Sequence, residues 1–251
     1  MTDEELWGKR FTELANKSYN SGIFTFTDFL GLGELSTLAE ISAKIRGIPY
    51  TAFGGVEGAE RVIIRFGSVN DLGYELPFPI QMLQIEPTNR KFADKLSHRD
   101  FLGALLNLGI ERRCLGDILI IDNVGYVFVK EEIASFIAEN LSRIKHTDVK
   151  VTVSESLPEG ELYKTKEVTV QIASERLDAV VAKVFSLSRE ESQRLFFKGL
   201  VFVGGRRIEN TSYTPKENDK ISVRGYGRMI YRGLSSLSKK GKLNVTIELY
   251  V

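Results

Sequence analysis

Cysteine and histidine are nearly missing from this chain: its 251 residues include one Cys, at 114, and two His, at 98 and 146. A lone thiol builds neither a disulfide framework nor a cysteine-ligated zinc site, and two histidines far apart in sequence leave little for any transition-metal centre. No metal and no cofactor are expected. Long apolar runs are missing too. No stretch approaches the ~18 apolar residues of a membrane-spanning helix, and the opening Met1-Thr-Asp-Glu-Glu-Leu-Trp7 is acidic where a secretory leader would be basic and then apolar. The expectation is a cytoplasmic protein with no membrane span. Nucleotide loops are missing as well. Gly54-Gly-Val-Glu-Gly58 has neither the Lys-Ser/Thr of a P-loop nor a Gly-x-Gly-x-x-Gly pattern, so it reads as a tight connection between strands. His98-Arg99-Asp100 matches a kinase catalytic triplet, yet no Asp-Phe-Gly and no phosphate-covering glycine loop accompany it.

Charge is plentiful but unevenly placed. The chain holds 34 Lys and Arg against 33 Asp and Glu, but from Gln171 to Val251 there are fifteen basic residues and eight acidic ones, so the preceding 170 residues are six charges negative. A basic C-terminal third joined to an acidic remainder points to a polyanionic partner at one end. Within that third, Leu177, Val180, Val181 and Val184 form an apolar stripe at helical spacing, with Ser174 placed to cap it. Ser188-Arg-Glu-Glu191 is a capping box that starts a second helix, and Gly199 ends it. Leu195 and Phe196 should face the first helix, leaving Arg189, Gln193, Arg194 and Lys198 on the other side. Val201 to Ile208 reads as two short strands around a Gly204-Gly205 turn that presents Arg206 and Arg207. Asp219 to Arg228 supplies another strand and adds Arg224 and Arg228.

Arg176-Leu-Asp178, Ser188-Arg189, Gly199-Leu-Val201, Gly204-Gly205 and Asp219-Lys-Ile-Ser-Val-Arg224 resemble the S4 RNA-binding domain, the module shared by a small-subunit ribosomal protein, pseudouridine synthases and tyrosyl-tRNA synthetases. Where such domains usually carry Val-Asn-Gly, this chain has Val203-Gly204-Gly205, which keeps the positive-φ turn and loses an Asn side chain. The candidate RNA contacts are Arg176, Arg189, Gln193, Arg194, Lys198, Arg206, Arg207, Arg224 and Arg228.

Upstream lies a second order of elements. Strands over Ile80–Ile85, Leu115–Ile121, Val124–Val129 and Val149–Val153, with helices over Arg99–Leu108 and Glu131–Leu141, give the β-α-β-β-α-β order of a ferredoxin-like, RRM-like fold. Such a sheet leaves one face uncovered by helices. Tyr126 and Phe128 share a face: either they stack bases on that open side, or they face the helices as core. At the helix start Ser97-His-Arg-Asp100, His98 and Arg99 put positive charge in the first turn, where the macrodipole disfavours it. Lys95, His98 and Arg99 are thus candidates for an anion or second RNA contact, the alternative being that Arg99 pairs with Asp100 or another carboxylate.

Residues 1–76 read as a third unit. It has amphipathic helices over Glu4–Ser18 (through Leu6, Trp7, Phe11 and Leu14) and Leu35–Ile45, and strands over Tyr50–Phe53 and Arg61–Phe66. The fold class is therefore α+β in three parts: an N-terminal α/β unit over 1–76, a ferredoxin-like (RRM-like) domain over 77–156, and an S4 domain over 170–251 with a C-terminal strand extension. Taken together, Phe53-Gly-Gly-Val-Glu-Gly-Ala-Glu-Arg61, Leu96-Ser-His-Arg-Asp-Phe-Leu-Gly-Ala-Leu-Leu-Asn-Leu-Gly-Ile110, Gly116-Asp-Ile118 and the S4 stretch through Arg228 resemble the YlmH-type S4-domain proteins of Gram-positive bacteria over nearly the whole length. That resemblance implies a protein encoded near division genes that binds structured RNA (rRNA and tRNA) and acts on the large ribosomal subunit with tRNA-bearing stalled chains. Two functions are compared: a non-enzymatic RNA-binding factor, and an RNA-modifying enzyme using S4 as its targeting arm. The single Arg-Leu-Asp, at 176–178, lies inside the S4 helix, and nothing upstream supplies the glycine-rich loop of a doubly wound methyltransferase. The binding factor is the expected function.

Overall fold

The computed structural model describes residues 2–42, 45, 47–158, 165–237 and 242–250. The chain divides into two compact units, Met1–Leu162 and Tyr163–Val251.

The first unit opens with α1 (Asp3–Ser21), started by a capping box in which the Thr2 hydroxyl accepts from the Glu5 amide and the Glu5 carboxylate accepts from the Thr2 amide. Then come β1 (Thr25–Phe26), α2 (Leu32–Ile41), β2 (Tyr50–Phe53), β3 (Ile63–Phe66) and the single-turn α3 (Val69–Leu72). The three strands form an antiparallel sheet in the order β1-β3-β2. Phe11 and Leu14 of α1 pack into its core with Leu38, Ile64 and Phe66, whereas Leu6 stays half exposed. The helix expected over Leu35–Ile45 is seen as Leu32–Ile41, with Ala43 and Lys44 outside the described residues. The Gly54–Gly58 cluster connects β2 to β3, and positive φ at Gly55 and Gly58 makes glycine necessary there.

The same unit continues through β4 (Ile80–Pro87), α4 (His98–Asn107), β5 (Leu115–Ile121), β6 (Val124–Lys130), α5 (Glu131–Asn140), β7 (Arg143–Ile144) and β8 (Thr147–Ser154). The sheet order is β5-β6-β4-β8-β7, antiparallel throughout, which is the ferredoxin-like arrangement with a short hairpin strand added at one edge. Leu83, Ile85, Val127 and Val129 point to the helices and pack with Phe101, Leu105 and Ile137. Asp122 and Asn123 both take positive φ in the two-residue β5–β6 turn. Asn123 also serves as a staple: its Oδ1 accepts from the Leu96 amide and its Nδ2 donates to the Asp94 carbonyl, which fixes the approach to α4.

The expected open face of this sheet is closed by the N-terminal elements. Phe29 lies against Gly116, where an added Cβ would stand 2.7 Å from the ring, and Gly55 lies against the Phe128 ring with no room for a side chain. The joint is polar as well as apolar. The Asp117 carboxylate accepts from the Glu60 and Arg61 amides at 2.8 and 3.0 Å. The Arg61 guanidinium donates to the carbonyls of Leu115, Phe29 and Arg112 at 2.9, 2.8 and 3.2 Å.

The second unit is β9 (Thr165–Ile172), α6 (Leu177–Val184), α7 (Arg189–Phe197), β10 (Val201–Val203), β11 (Arg206–Arg207), β12 (Lys220–Val223), β13 (Gly227–Leu237) and β14 (Leu243–Tyr250). Its sheet runs β11-β10-β12-β13-β14-β9. Leu177, Val180, Val181, Leu195 and Phe196 are buried against Val201, Ile221, Met229, Tyr231 and Ile247. The Ser188 capping box forms. Ser174 does not cap α6: the helix starts after Arg176, and its first amide, Leu177 N–H, is satisfied by the Tyr213 carbonyl at 2.7 Å. The C-terminal extension is the pair β13–β14, and β9, unmarked by any sequence signal above, pairs with β14 over eight positions.

Asp117→Ala should leave the backbone N–H donors of Glu60 and Arg61 without their acceptor. We expect it to destabilise the first unit by about 2–4 kcal/mol, and Arg61→Lys to destabilise it as well because an ammonium cannot reproduce the planar fork. Differential scanning calorimetry of the whole chain checks this. The transition of the first unit should move down while that of the second stays in place.

Candidate nucleic-acid interface

On the C-terminal unit the nine candidate side chains do not form one even patch. Two of them are committed to the fold. Arg176 forks onto Asp178 with bonds of 3.0 and 2.8 Å, and Asp178, whose side chain is 3% exposed, also accepts from Gln193 Nε2 at 3.2 Å while its carbonyl accepts from the Ser192 hydroxyl at 2.7 Å. The buried carboxylate needs that pairing. The expectation that Gln193 belongs to a free outer face is therefore corrected, because it ties α7 to α6.

The remaining seven sort by element. Arg189, Arg194 and Lys198 are exposed on α7; Arg194 pairs with Glu190 at 2.5 Å across one exposed turn, whereas Arg189 and Lys198 have no partner among the described residues. At the end of that helix Gly199, with φ of +63°, lies under the Arg207 side chain, and the Leu200 carbonyl accepts from the Arg224 amide at 2.9 Å. Those two contacts carry the basic surface from the helix onto the sheet. Register then continues it: Arg207 is opposite Phe202, Phe202 opposite Ser222, and Ser222 opposite Arg228, so these residues share the sheet face turned away from the helices. Arg224 lies over the Phe202 ring at 5.5 Å and Arg228 over Tyr250 at 4.6 Å. Arg206 is exposed at the Gly204-Gly205 turn, where both glycines take positive φ. The whole is a cationic strip that bends around one edge of the module. Phe197, 77% exposed beside Arg194 and Lys198, adds an aromatic face that helical periodicity alone did not single out.

In the first unit the candidates separate. Tyr126 and Phe128 are 8% and 2% exposed, opposite Gln84 and Met82 on the sheet face that the N-terminal elements cover. They do not face the helices: both are buried as core of a second kind, with Phe128 against Gly55. His98 stands near Arg112 and Asp117. Loss of solvation and then the Arg112 cation lower its pKa, against the pull of Asp117. Arg112 is itself pushed down to about 10 by burial and by Arg61, still a cation. Asp100 is the anion of that first turn. The Lys145 ammonium at 2.8 Å, with the Ser97 hydroxyl and amide, holds its carboxyl down at about 2. Arg99 does not pair with Asp100; it is exposed, as is Lys95, and it lines a cleft with Arg143 and Lys145.

A larger hollow of about 790 Å³ beside α1 is lined by Trp7, Arg10, Phe26, Arg113 and Lys130 among others. Its lysine is already matched, to Asp28 at 3.0 Å and Glu132 at 2.7 Å. Among the described residues, no group of three His, Cys, Asp or Glu side chains is placed to hold a metal ion, and no helix is long and apolar enough to cross a membrane.

Comparison with known proteins matches one family model within each unit. The model described as "Putative RNA-binding domain in YlmH" matches residues 75–157, and the S4 domain model matches residues 175–221. The "Ribosome-associated protein quality control protein P2" of Bacillus subtilis is 31% identical over 230 residues, 88% of this chain and 86% of that protein. The chain belongs to the YlmH family. A stretch of 59 residues of this YlmH-family chain, 23% of its length, is 41% identical to the small ribosomal subunit protein uS4 of Rhodospirillum centenum, covering 29% of that protein. The cell division protein ylmH from Streptococcus pneumoniae superposes with a TM-score of 0.49 at 22% identity, over 62% of this chain and 93% of the other. The YlmH blocks around Arg61 and Asp117 turn out to be the two sides of one joint.

Replacing Arg189, Arg194 and Lys198 together by Ala should leave the melting temperature nearly unchanged, since all three are exposed on α7. RNA affinity should fall at least tenfold, or about 1.4 kcal/mol, in a filter-binding titration. Phe128→Leu should do the reverse, lowering the melting temperature of the first unit while RNA affinity stays within about twofold of wild type.

Proposed function

We propose that this protein is a non-enzymatic RNA-binding factor that engages structured ribosomal or transfer RNA on the ribosome, in the cytoplasm, with the basic strip of the S4 unit as its main contact. The observation that carries this reading is the partitioning of charge on that unit. The buried Asp178 carboxylate takes Arg176 and Gln193, while Arg189, Lys198 and Arg206 are left exposed with no partner among the described residues. Phosphate is the ligand that such a strip fits, because it neutralises several cations at once and releases their counterions. The name of the Bacillus subtilis relative, a ribosome-associated quality control protein, supports the ribosome as the setting. We also read the chain as three functional parts: a covering lobe over 1–76, a ferredoxin-like domain over 77–156 and the S4 domain over 170–251.

The absence of chemistry is part of the proposal. The two histidines serve different places: His98 stands near Arg112, and His146 donates its backbone amide to Asp94. Cys114 has its thiol pKa raised by burial, away from a reactive thiolate. No described constellation joins a nucleophile, a base and an oxyanion site.

The C-terminal unit, residues 163–251, is compact by itself. We expect it to bind a structured RNA alone, with a log-log salt slope of roughly −3 to −6; a slope near zero between low and physiological salt would remove the electrostatic basis of the reading. Crosslinking in cells should enrich ribosomal and transfer RNA. RNA incubated with the protein should show no nucleoside mass shift, and a shift appearing only with intact protein would replace the binding factor by a modifying enzyme.

A further inference from the structure

The RNA-binding domain matched over residues 75–157 poses a problem that the fold makes explicit. A ferredoxin-like RNA reader ordinarily uses its open sheet face, with aromatic side chains under the bases. Here that face lies beneath Phe29 and Gly55. If this half of the protein touches RNA, it does so elsewhere. The helical side offers a cleft of about 480 Å³ between α4 and the segment that follows α5, lined by Arg99, Gly103, Asn107, Asn140, Arg143 and Lys145.

The charges of this cleft are poorly compensated. Asp100 is its one lining carboxylate, and it is taken up by Lys145 and Ser97. Arg143 comes no nearer than 3.9 Å to Asp148, with both side chains more than half exposed, a pairing of little energy. Arg99 has no partner among the described residues. Two guanidiniums are therefore available, and each can fork onto the two free oxygens of a phosphodiester.

The rest of the lining is not what an isolated phosphate would want. The cleft runs along α4 from Arg99 to Leu108 and meets the C-terminal end of α5 at Asn140–Leu141, so at one end it is bounded by the last turns of both helices, where carbonyls carry negative partial charge. Carbonyls repel phosphate but accept hydrogen bonds from hydroxyls. A surface pairing guanidiniums with carbonyl and amide acceptors suits a ribose-phosphate chain, which alternates an anion with a 2′-hydroxyl donor. Gly103 supplies an independent sign. It lies mid-helix, where glycine costs up to ~1 kcal/mol against alanine, yet an added Cβ would meet nothing within 4 Å. Packing does not require glycine there, and the missing side chain leaves the cleft floor open.

We propose that the cleft bounded by Arg99, Gly103, Asn107, Arg143 and Lys145 is a second RNA site that grips the ribose-phosphate backbone without reading bases. The proposal rests on the RNA-binding function above and deepens it. The S4 strip supplies most of the affinity, and the cleft adds a contact from the other unit of the chain.

The test uses the full-length protein with a fluorescein-labelled RNA hairpin carrying a single-stranded tail, and with its deoxy counterpart. Arg99→Ala combined with Arg143→Ala should weaken RNA binding about five- to tenfold and make the salt slope shallower by about 1 to 2, with a smaller loss on the deoxy probe. Gly103→Leu should fill the cleft, keep or raise the melting temperature and weaken RNA binding similarly. If both variants bind within about twofold of wild type while the triple Ala variant of α7 is weakened, the cleft proposal is overturned and the S4 reading stands. An equal loss on both probes overturns the ribose assignment. If wild-type protein binds neither probe, the RNA-binding function itself falls, and the cleft with it.

Discussion

Asp117 stands at the second strand of the ferredoxin-like sheet with its carboxylate turned toward a different part of the chain, and the architecture of the first unit depends on what it finds there. The amides of Glu60 and Arg61 meet its two oxygens, and the Arg61 side chain crosses back to three carbonyls on both sides of the seam. Neither group would be tolerable alone. A partly buried carboxylate without donors, or a guanidinium without acceptors, would cost more than the contact between sheets returns. Each satisfied by backbone across the seam, they hold the N-terminal sheet against the second one. Phe29 can then reach Gly116, and the β2–β3 connection can settle over Phe128.

The same logic operates at smaller scale in the C-terminal unit. Asp178 is nearly sealed from solvent, and its carboxylate recruits Arg176 from the helix start and Gln193 from the next helix, while its carbonyl holds the Ser192 hydroxyl. Two helices of eight and nine residues are too short to be stable separately. A shared buried anion, together with the apolar pair Leu195 and Phe196, sets their mutual orientation. That orientation places Arg189 and Lys198 outward. The basic strip is thus a consequence of how one acid is satisfied inside.

Much of this was legible in the residues. The β-α-β-β-α-β order, the capping box at Ser188 and the glycine stop at 199 follow from local rules of period, cap and turn, and the structure shows each of them. What local rules could not reach was the second covering of the sheet. Tyr126 and Phe128 have the same spacing whether they meet water, helices or another lobe, and the partners that decide it, Phe29 and Gly55, lie 70 to 100 residues upstream. Gln193 was misplaced for a related reason, since a polar residue on a helix reads as exposed until a buried carboxylate is found to need it. Arg143 and Lys145 escaped notice because their strand is two residues long and its turn depends on positive φ at Lys145, a non-glycine residue with no sequence signature.

The pairing of β14 with β9 carries a consequence for how the molecule comes into being. Their eight partner positions are separated by 71 to 85 residues of chain, and β9 has no other neighbour in its sheet. During synthesis at about 5–20 residues per second, roughly 4 to 17 s pass between the emergence of one strand and of its mate. For that interval β9 is an unsatisfied edge, and its own Val168, Val170 and Ile172 wait without cover. The unit bearing the basic strip is therefore the last to close, by a contact distant in sequence and slow by topology. A nascent copy acquires its complete basic surface only after the first unit has had time to fold.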